Sequence, residues 1–171
     1  MHCEECGFHY GGVARTRIGP RIRTLCVAYT DVLTSTPPGL LRRRPRPAVW
    51  SPLEYACHVR DVLVVQRHRV DLIQRDHEPD LAPMGREERV TRDRYNQQSP
   101  ARVAAEIATA AEQFVDRLAE LDPDAWLRRG AYSWPVRCLR TVEWIGRHTV
   151  HEGEHHLRDL REGIHRGRGA G

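Results

Sequence analysis

The chain has 171 residues, which fits a single domain large enough to bury a hydrophobic core. Hydrophobic residues make up 40% and charged residues 29% of the sequence, and no apolar run reaches the roughly 18 residues that a membrane span needs, so we expect a soluble protein without a membrane partner. The net charge is +4, but all 27 basic residues are arginines interspersed with acidic residues, which argues against a nucleic-acid partner.

Two helices are predicted in the first half of the chain. Apolar residues recur at helical spacing from about Pro20 to Ser35, and Pro37-Pro38-Gly39 ends this pattern. The strongest helix start is Ser51-Pro52-Leu53-Glu54, where a serine N-cap, a proline at the first helical position and a glutamate at the third form a capping box. We expect this second helix to end near Arg75.

A long polar connection, residues 77–98, follows the second predicted helix. Connections of this length in a compact domain are often lids or binding segments, and we expect this one to cover a pocket. Arg86, Arg89 and Tyr95 are its candidate substrate-binding residues. Guanidinium groups suit carboxylates and phosphates because they bind such anions through two parallel hydrogen bonds.

Two more helices are predicted in the second half. Ser99-Pro100 repeats the signal of a capping serine and a first-turn proline, and the helix that begins there is expected to end near Leu121. The last helix is expected to begin near Leu139 or Arg140 and to reach about Gly163.

The predicted fold class is therefore all-α, without a convincing strand. Residues 20–171 are expected to form an up-and-down four-helix bundle with long crossing connections, and residues 1–19 a short Cys/His-containing N-terminal segment. The first residues lack the cationic and apolar parts of a secretory signal, which predicts a cytoplasmic location. The five cysteines are then expected to be thiols or metal ligands, not disulfides.

Three histidines on two predicted helices form a candidate metal site. His151 and His155 have the i, i+4 spacing that lets two imidazoles bind one cation. His58 lies on the apolar face of the second helix, where a buried imidazole needs a partner. If the two helices are neighbours, three neutral nitrogens and a vacant fourth position form a catalytic type of zinc site. A solvated histidine face and a hydrogen-bonded core histidine are the alternatives.

The segment from His151 to His155 also matches the H-E-x-x-H pattern of zinc proteases. The extended form of that pattern needs a histidine at position 161, which is arginine, and the form with a distant glutamate needs more chain than follows. A glycine within the motif helix disfavours it further. We therefore do not expect a protease, and we interpret Glu152 as a support for the ligands and His156 as structural.

The segment Cys3-Glu4-Glu5-Cys6-Gly7 is a C-x2-C-G knuckle, which is half of a zinc ribbon. The residues that can complete its ligand set are His2, His9, Cys57, Cys138 and His148. The sequence predicts one of two roles for Cys3, Cys6 and His148: they bind a second, structural metal, or they form a contact between the tail and the last helix. A tail thiolate that caps the three-histidine site and two free thiols on a flexible tail are the alternatives.

The order of helices and histidines resembles a known family. A four-helix bundle with a histidine in the second helix, in SPLEYACHVRDV, and H-x3-H in the fourth, in HTVHEGEHHLRDL, is similar to the DinB-like metal-binding superfamily over about residues 20–163. The resemblance implies that His58, His151 and His155 hold a divalent metal, zinc first and nickel as the alternative. Bacillithiol transferases and a mycothiol-dependent isomerase belong to the superfamily, which implies a low-molecular-weight thiol cofactor. The all-arginine basic composition is consistent with a GC-rich actinomycete, where that thiol is mycothiol.

We therefore predict a metal-dependent enzyme of small-molecule chemistry, with a thiol-dependent, mycothiol-type transferase as the leading activity. The alternatives are a metal-stabilised, non-catalytic binding domain closed by the cysteine tail, and a metal-dependent hydrolase. The expected partner is a small-molecule substrate, and the sequence leaves a homodimer open. A site with four protein ligands argues against catalysis at that ion, whereas three ligands and solvent permit it.

Overall fold

Helices dominate the computed structural model, which describes residues 1–133 and 136–169. The helices of these ranges are α1 (Arg15–Ser35), α2 (Pro38–Leu41), α3 (Pro52–Arg75), α4 (Arg86–Arg92), α5 (Pro100–Ala119) and α6 (Val142–Arg168). None of them is long and apolar enough to cross a membrane. Residues 170 and 171, the end of the predicted bundle, lie outside the described residues, as do positions 134 and 135.

The four long helices, α1, α3, α5 and α6, form the predicted bundle. α1 packs against α5 and α6, and α3 packs against the same two helices. The chain therefore crosses the bundle diagonally between α1 and α3 and again between α5 and α6. This arrangement confirms a four-helix bundle with crossing connections, and it makes α3 and α6 neighbours.

The predicted helix starts at Ser51 and Ser99 are confirmed by their capping contacts. Ser51 Oγ accepts a hydrogen bond from the Glu54 N–H at 3.2 Å, and Glu54 Oε2 accepts one from the Ser51 N–H at 2.7 Å, which completes the capping box. Ser99 Oγ accepts a hydrogen bond from the Arg102 N–H at 3.4 Å. α3 ends at Arg75, as predicted.

A three-stranded sheet lies where the sequence indicated no strand. Its strands are β1 (Asp80–Leu81), β2 (Arg129–Tyr132) and β3 (Cys138–Thr141), with β1 parallel to β2 and β2 antiparallel to β3. Strands of two to four residues are too short to show a period of two. Because β3 occupies the residues where the last helix was expected to begin, that helix starts at Val142 instead.

The N-terminal segment, residues 1–14, packs against the bundle. Phe8, Tyr10 and Val13 are buried, with exposed fractions of 8%, 5% and 2%. α1 begins at Arg15, five residues before the predicted start at Pro20. The burial of three large apolar side chains means that this segment is a packed part of the fold.

The two N-terminal cysteines lie in a compact turn. The Cys3 N–H donates to the Phe8 carbonyl at 2.9 Å, and the Gly7 N–H donates to the Cys3 carbonyl at 2.8 Å. Gly7 has φ of +74°, a left-handed conformation that glycine adopts without the steric cost of a side chain. The turn therefore holds Cys3 and Cys6 on one side of a short loop, in place of the flexible tail that was one of the alternatives.

Candidate metal centre

Side chains of α3 and α6 meet at one wall of a cavity of about 900 Å³. Because α3 packs against α6, His58 of α3 faces Glu152 of α6. The other walls come from the N-terminal segment, from residues 83–86 and from Tyr132 of β2. Part of the long polar connection therefore lines the cavity, which is where a lid was expected.

His58, Glu152 and His156 form the first group of potential ligands, called here the His/Glu cluster. The Nε2 atoms of His58 and His156 each lie 3.6 Å from Glu152 Oε2. One potential ligand atom from each residue lies within 4.8 Å of the others. Both ring nitrogens of His58 are buried without a hydrogen-bond partner among the described residues, a situation that costs free energy unless another group binds them. The cluster therefore has the arrangement of ligands around a shared cation.

The pKa values of Glu152 and His58 favour metal ligation. Burial alone raises the pKa of Glu152, but the imidazoles of His151, His156 and His58 together hold that pKa well below its usual range. Burial lowers the pKa of His58, in spite of the opposing effect of Glu152. A charged carboxylate and a neutral imidazole are the forms of these side chains that bind metals.

Asp159, one turn after His156 on α6, orients the His156 ring. The His156 Nδ1 and Asp159 Oδ2 atoms are 3.0 Å apart, and this leaves Nε2 directed at Glu152. Burial lowers the pKa of His156, but the two carboxylates raise it more, to about 9, so metal binding at this ring releases a proton at neutral pH. Metal-binding histidines are commonly held in this way, with a carboxylate on the nitrogen that does not bind the ion.

Cys3, Cys6, His151 and His155 form the second group, called here the Cys/His cluster. One sulfur or nitrogen atom from each residue lies within 4.8 Å of the others. The predicted set of His58, His151 and His155 is thus divided between two clusters. Cys3 and Cys6, for which His148 was one of several possible partners, meet the two histidines of the H-x3-H motif, as in the alternative of a tail thiolate at the histidine site.

The division follows from the rotation of α6 about its axis. Consecutive helical residues point about 100° apart, so Glu152 and His156 face α3 while His151 and His155 face the N-terminal segment. Both pairs have i, i+4 spacing, and either could belong to a metal site by that criterion. Glu152 and His156 were not among the ligands predicted from the sequence, where Glu152 was interpreted as a support and His156 as structural.

His148 contacts the N-terminal segment through Tyr10. Its Nδ1 lies 2.8 Å from Tyr10 Oη, and its ring stacks on Trp144 with the centroids 4.6 Å apart. Burial lowers the pKa of His148 to about 4. The tail contact considered for His148 therefore involves the tyrosine, and the two cysteines lie against His151 and His155.

The three candidate substrate-binding residues occupy different places. Arg86 lines the cavity, with its guanidinium carbon 6.0 Å from the ring centroid of Trp50. Arg89 and Tyr95 both donate to Asp61 Oδ2, at 3.0 and 2.6 Å. The latter two residues hold the long connection against α3, so only Arg86 is positioned to meet a molecule in the cavity.

Arg69 of α3 also lines the cavity and was not among the candidates predicted from the sequence. It is 8% exposed, and its guanidinium donates to Tyr132 Oη at 2.7 Å and to the Ala82 carbonyl at 2.6 Å. It follows His58 by about three helical turns and therefore shares its face of α3. Its spacing from His58 along the helix was the feature of the sequence that could have identified it.

The fold and the clusters define a helical-bundle protein with groups of potential metal ligands beside a cavity. The sequence profile of the DinB superfamily matches residues 26–160, and the chain belongs to this superfamily. No curated protein matches the sequence significantly.

Two solved structures share the fold. One is YfiT from Bacillus subtilis, described as a probable metal-dependent hydrolase with an unusual four-helix bundle topology; it has 14% identity and a TM-score of 0.80, over 89% of this chain and 86% of that chain. The other is a mycothiol-dependent maleylpyruvate isomerase, with 12% identity and a TM-score of 0.71, over 90% of this chain and 63% of that chain. At these identities the likeness establishes the fold only.

Proposed function

We propose that the protein is a metal-dependent enzyme of small-molecule chemistry, in which His58, Glu152 and His156 hold one divalent ion, with zinc first and nickel as the alternative. The observation that carries the proposal is the pair of buried, unpartnered ring nitrogens of His58 next to a charged, buried carboxylate. This ligand set replaces the predicted set, in which His151 and His155 accompanied His58.

The donor set fits such an ion. Two imidazoles and one carboxylate are the ligands of a well-known class of catalytic zinc site, and three protein ligands leave a fourth position for solvent or substrate. When bound there, a divalent ion lowers the pKa of a coordinated thiol or water and polarises a substrate oxygen. The cavity of about 900 Å³ beside the cluster supports a catalytic role over a closed, purely structural one.

Two arginines of the cavity wall, which also carries the carboxylates of Glu4, Glu5 and Glu152, are groups that bind an anionic substrate or cofactor. Arg69 and Arg86 both line the cavity, and guanidinium groups bind carboxylates with defined geometry. The buried Arg69 is already held by Tyr132 and Ala82, so little side-chain entropy is lost when it binds an anion. We assign to these arginines the orientation of a carboxylate-bearing molecule over the His/Glu cluster.

A low-molecular-weight thiol is the proposed co-substrate, and the reaction a transfer or isomerisation that depends on it. The similarity in fold to the mycothiol-dependent isomerase supports this choice. Hydrolysis is the second candidate, supported by the similarity to YfiT, which covers more of the partner chain. The two differ in their requirement for a thiol, and a cytoplasmic location remains our prediction because a reducing compartment supplies one.

The experiment compares His58→Ala with His68→Ala, a matched change of an exposed histidine on the same helix. Zinc-loaded proteins are assayed with mycothiol plus maleylpyruvate or monochlorobimane, and with p-nitrophenyl acetate without thiol. We expect His58→Ala to lose one bound ion and at least about 100-fold in activity, since a ligand contributes more than the 10- to 100-fold of a supporting residue. His68→Ala should retain both.

The thiol requirement then separates the two candidates. Activity that appears only with mycothiol supports the thiol-dependent reaction, whereas thiol-independent ester hydrolysis supports the hydrolase. Unchanged metal content and activity in a folded His58→Ala protein contradict the proposed catalytic site.

A further inference from the structure

The Cys/His cluster brings together two pairs of side chains that are distant in sequence. Cys3 and Cys6 come from the N-terminal turn, and His151 and His155 come from successive turns of α6. Their sulfur and nitrogen atoms approach one another within 4.8 Å. The spacings C-x2-C and H-x3-H are those of structural zinc sites with two thiolates and two imidazoles.

The two histidines each present one nitrogen that has no partner. His151 Nε2 and His155 Nδ1 are buried and make no hydrogen bond among the described residues. Leaving two such atoms unsatisfied in a native structure is costly. A cation that is bound by both nitrogens removes this cost.

The opposite nitrogen of each ring is near an acceptor. His151 Nδ1 lies 3.2 Å from Glu152 Oε1, and His155 Nε2 lies 3.4 Å from Glu5 Oε2 and 3.5 Å from Asp159 Oδ2. A carboxylate beside one nitrogen fixes the tautomer, so that the other nitrogen carries the free lone pair. Both rings are thus arranged as metal ligands.

The N-terminal turn prepares the sulfur atoms in a similar way. Backbone N–H groups of Cys6 and Glu5 hydrogen-bond the Cys3 sulfur, and the Phe8 N–H bonds the Cys6 sulfur. Hydrogen bonds to a charged form favour that form, and the thiolate is the form that binds metals. In spite of burial, the pKa of Cys3 is lowered by these hydrogen bonds, whereas burial and the neighbouring Cys3 raise the pKa of Cys6, so only the Cys3 sulfur lies in surroundings that favour the thiolate.

We propose that Cys3, Cys6, His151 and His155 bind a second metal ion, zinc, in a closed tetrahedral structural site. The mixed sulfur and nitrogen donors select zinc among the common divalent ions. Four protein ligands leave no position for substrate, so this ion is structural. The assignment does not depend on the reaction proposed for the His/Glu cluster.

The site attaches the N-terminal segment to the rim of the cavity. Residues 1–5 contribute to the cavity wall, and their position depends on the attachment of Cys3 and Cys6 to α6. The contact between His151 Nδ1 and Glu152 Oε1 also connects the two clusters directly. Zinc at the Cys/His cluster therefore shapes the cavity and supports Glu152.

The first test measures metal content in the full chain, purified in the presence of zinc. We expect two zinc ions per chain in the wild type, and one in Cys6→Ser and in His155→Ala. The matched control is Cys26→Ser, a half-buried cysteine of α1 that lies in neither cluster, and it should retain two. Circular dichroism confirms that each variant is folded.

Cobalt substitution identifies which ion is lost. The wild type and His156→Ala should show thiolate-to-cobalt charge-transfer absorption, and Cys6→Ser should lack it. Loss of the band in His156→Ala together with its retention in Cys6→Ser overturns the assignment. So does a folded Cys6→Ser protein that keeps two zinc ions.

Alkylation of the wild type tests the site without any substitution. With zinc present, Cys3 and Cys6 should react with iodoacetamide at least about 10-fold more slowly than after chelation, because a metal-bound thiolate is not free to attack. Cys26 and Cys138 should react equally in both conditions. Equal reactivity of Cys3 and Cys6 with and without zinc overturns the proposal.

Discussion

The two clusters of α6 begin one residue apart and use the same spacing, yet they recruit different partners. Glu152 and His156 meet a histidine from a neighbouring long helix, whereas His151 and His155 meet two thiols from the N-terminal segment. Residues of both sets line the cavity, but the first set has three oxygen and nitrogen donors, whereas the second has four donors that include sulfur. In the proposed assignment, the partner segment, more than the helical motif, decides whether a site is open or closed.

The largest expected effect concerns stability and should be specific to the Cys/His cluster. Zinc at about 1,000 times its Kd stabilises a site that exists only in the folded state by about 4 kcal/mol. We therefore expect Cys6→Ser to lose about that much zinc-dependent stabilisation, measured by thermal unfolding at fixed free zinc. Cys26→Ser should keep it. An equal loss in both variants contradicts a structural ion at Cys6.

Glu152 belongs to one cluster and touches the other, so its substitution should affect the two unequally. Glu152→Gln is expected to weaken metal binding at the His/Glu cluster by at least about 100-fold, and at the Cys/His cluster by about 10-fold, the effect of losing a supporting carboxylate. Titration of the cobalt-loaded protein with zinc separates the two affinities, because the cobalt thiolate band measures binding at the Cys/His cluster alone. Glu154→Gln, which changes a neighbouring glutamate paired with Arg21, should change neither affinity. Equal losses at both clusters remove the proposed distinction.

Asp159 should have a smaller effect, and mainly on the His/Glu cluster. Asp159→Asn weakens the contact that orients His156, and we expect metal affinity there to fall by about 10-fold. The control is Glu162→Gln, an exposed carboxylate on the same helix. Competition with a chromophoric chelator measures both variants. A larger loss of metal affinity at the Cys/His cluster, measured with the cobalt thiolate band, shows that Asp159 orients His155 instead of His156.

Tyr10 should have the smallest effect, because its hydroxyl supports histidines without belonging to either ligand set. Tyr10 Oη lies 2.8 Å from His148 Nδ1 and 3.2 Å from His151 Nδ1. We expect Tyr10→Phe to cost about 1 kcal/mol of unfolding free energy and to leave two ions bound. Tyr29→Phe, which removes a buried hydrogen bond to Gly153, should cost a similar amount. A drop to one ion in Tyr10→Phe alone makes Tyr10 essential for holding His151.

Much of the fold could be predicted because its signals are local. The serine caps and first-turn prolines at Ser51 and Ser99 specify helix starts through contacts within one turn. The sheet could not be predicted, since Asp80 pairs with Ala131 and no local pattern connects such distant positions.

The candidate site could be predicted only in part. The sequence singled out His58 and the histidine-rich stretch of α6, and it recognised the knuckle of Cys3 and Cys6. It did not reveal which of two overlapping i, i+4 pairs faces which partner. It also missed Arg69, whose role depends on Tyr132 from a strand that the sequence did not reveal.

The sequence by itself determined the four long helices, the caps at Ser51 and Ser99 and the kinds of side chain available for metal chemistry, because these follow from residue type and from spacing within a few turns. Only the tertiary structure decided how those side chains divide into two clusters. Consecutive residues of α6 point about 100° apart, so the rotation of the helix sets the division. That rotation results from the packing of α6 against α1, α3 and the N-terminal segment.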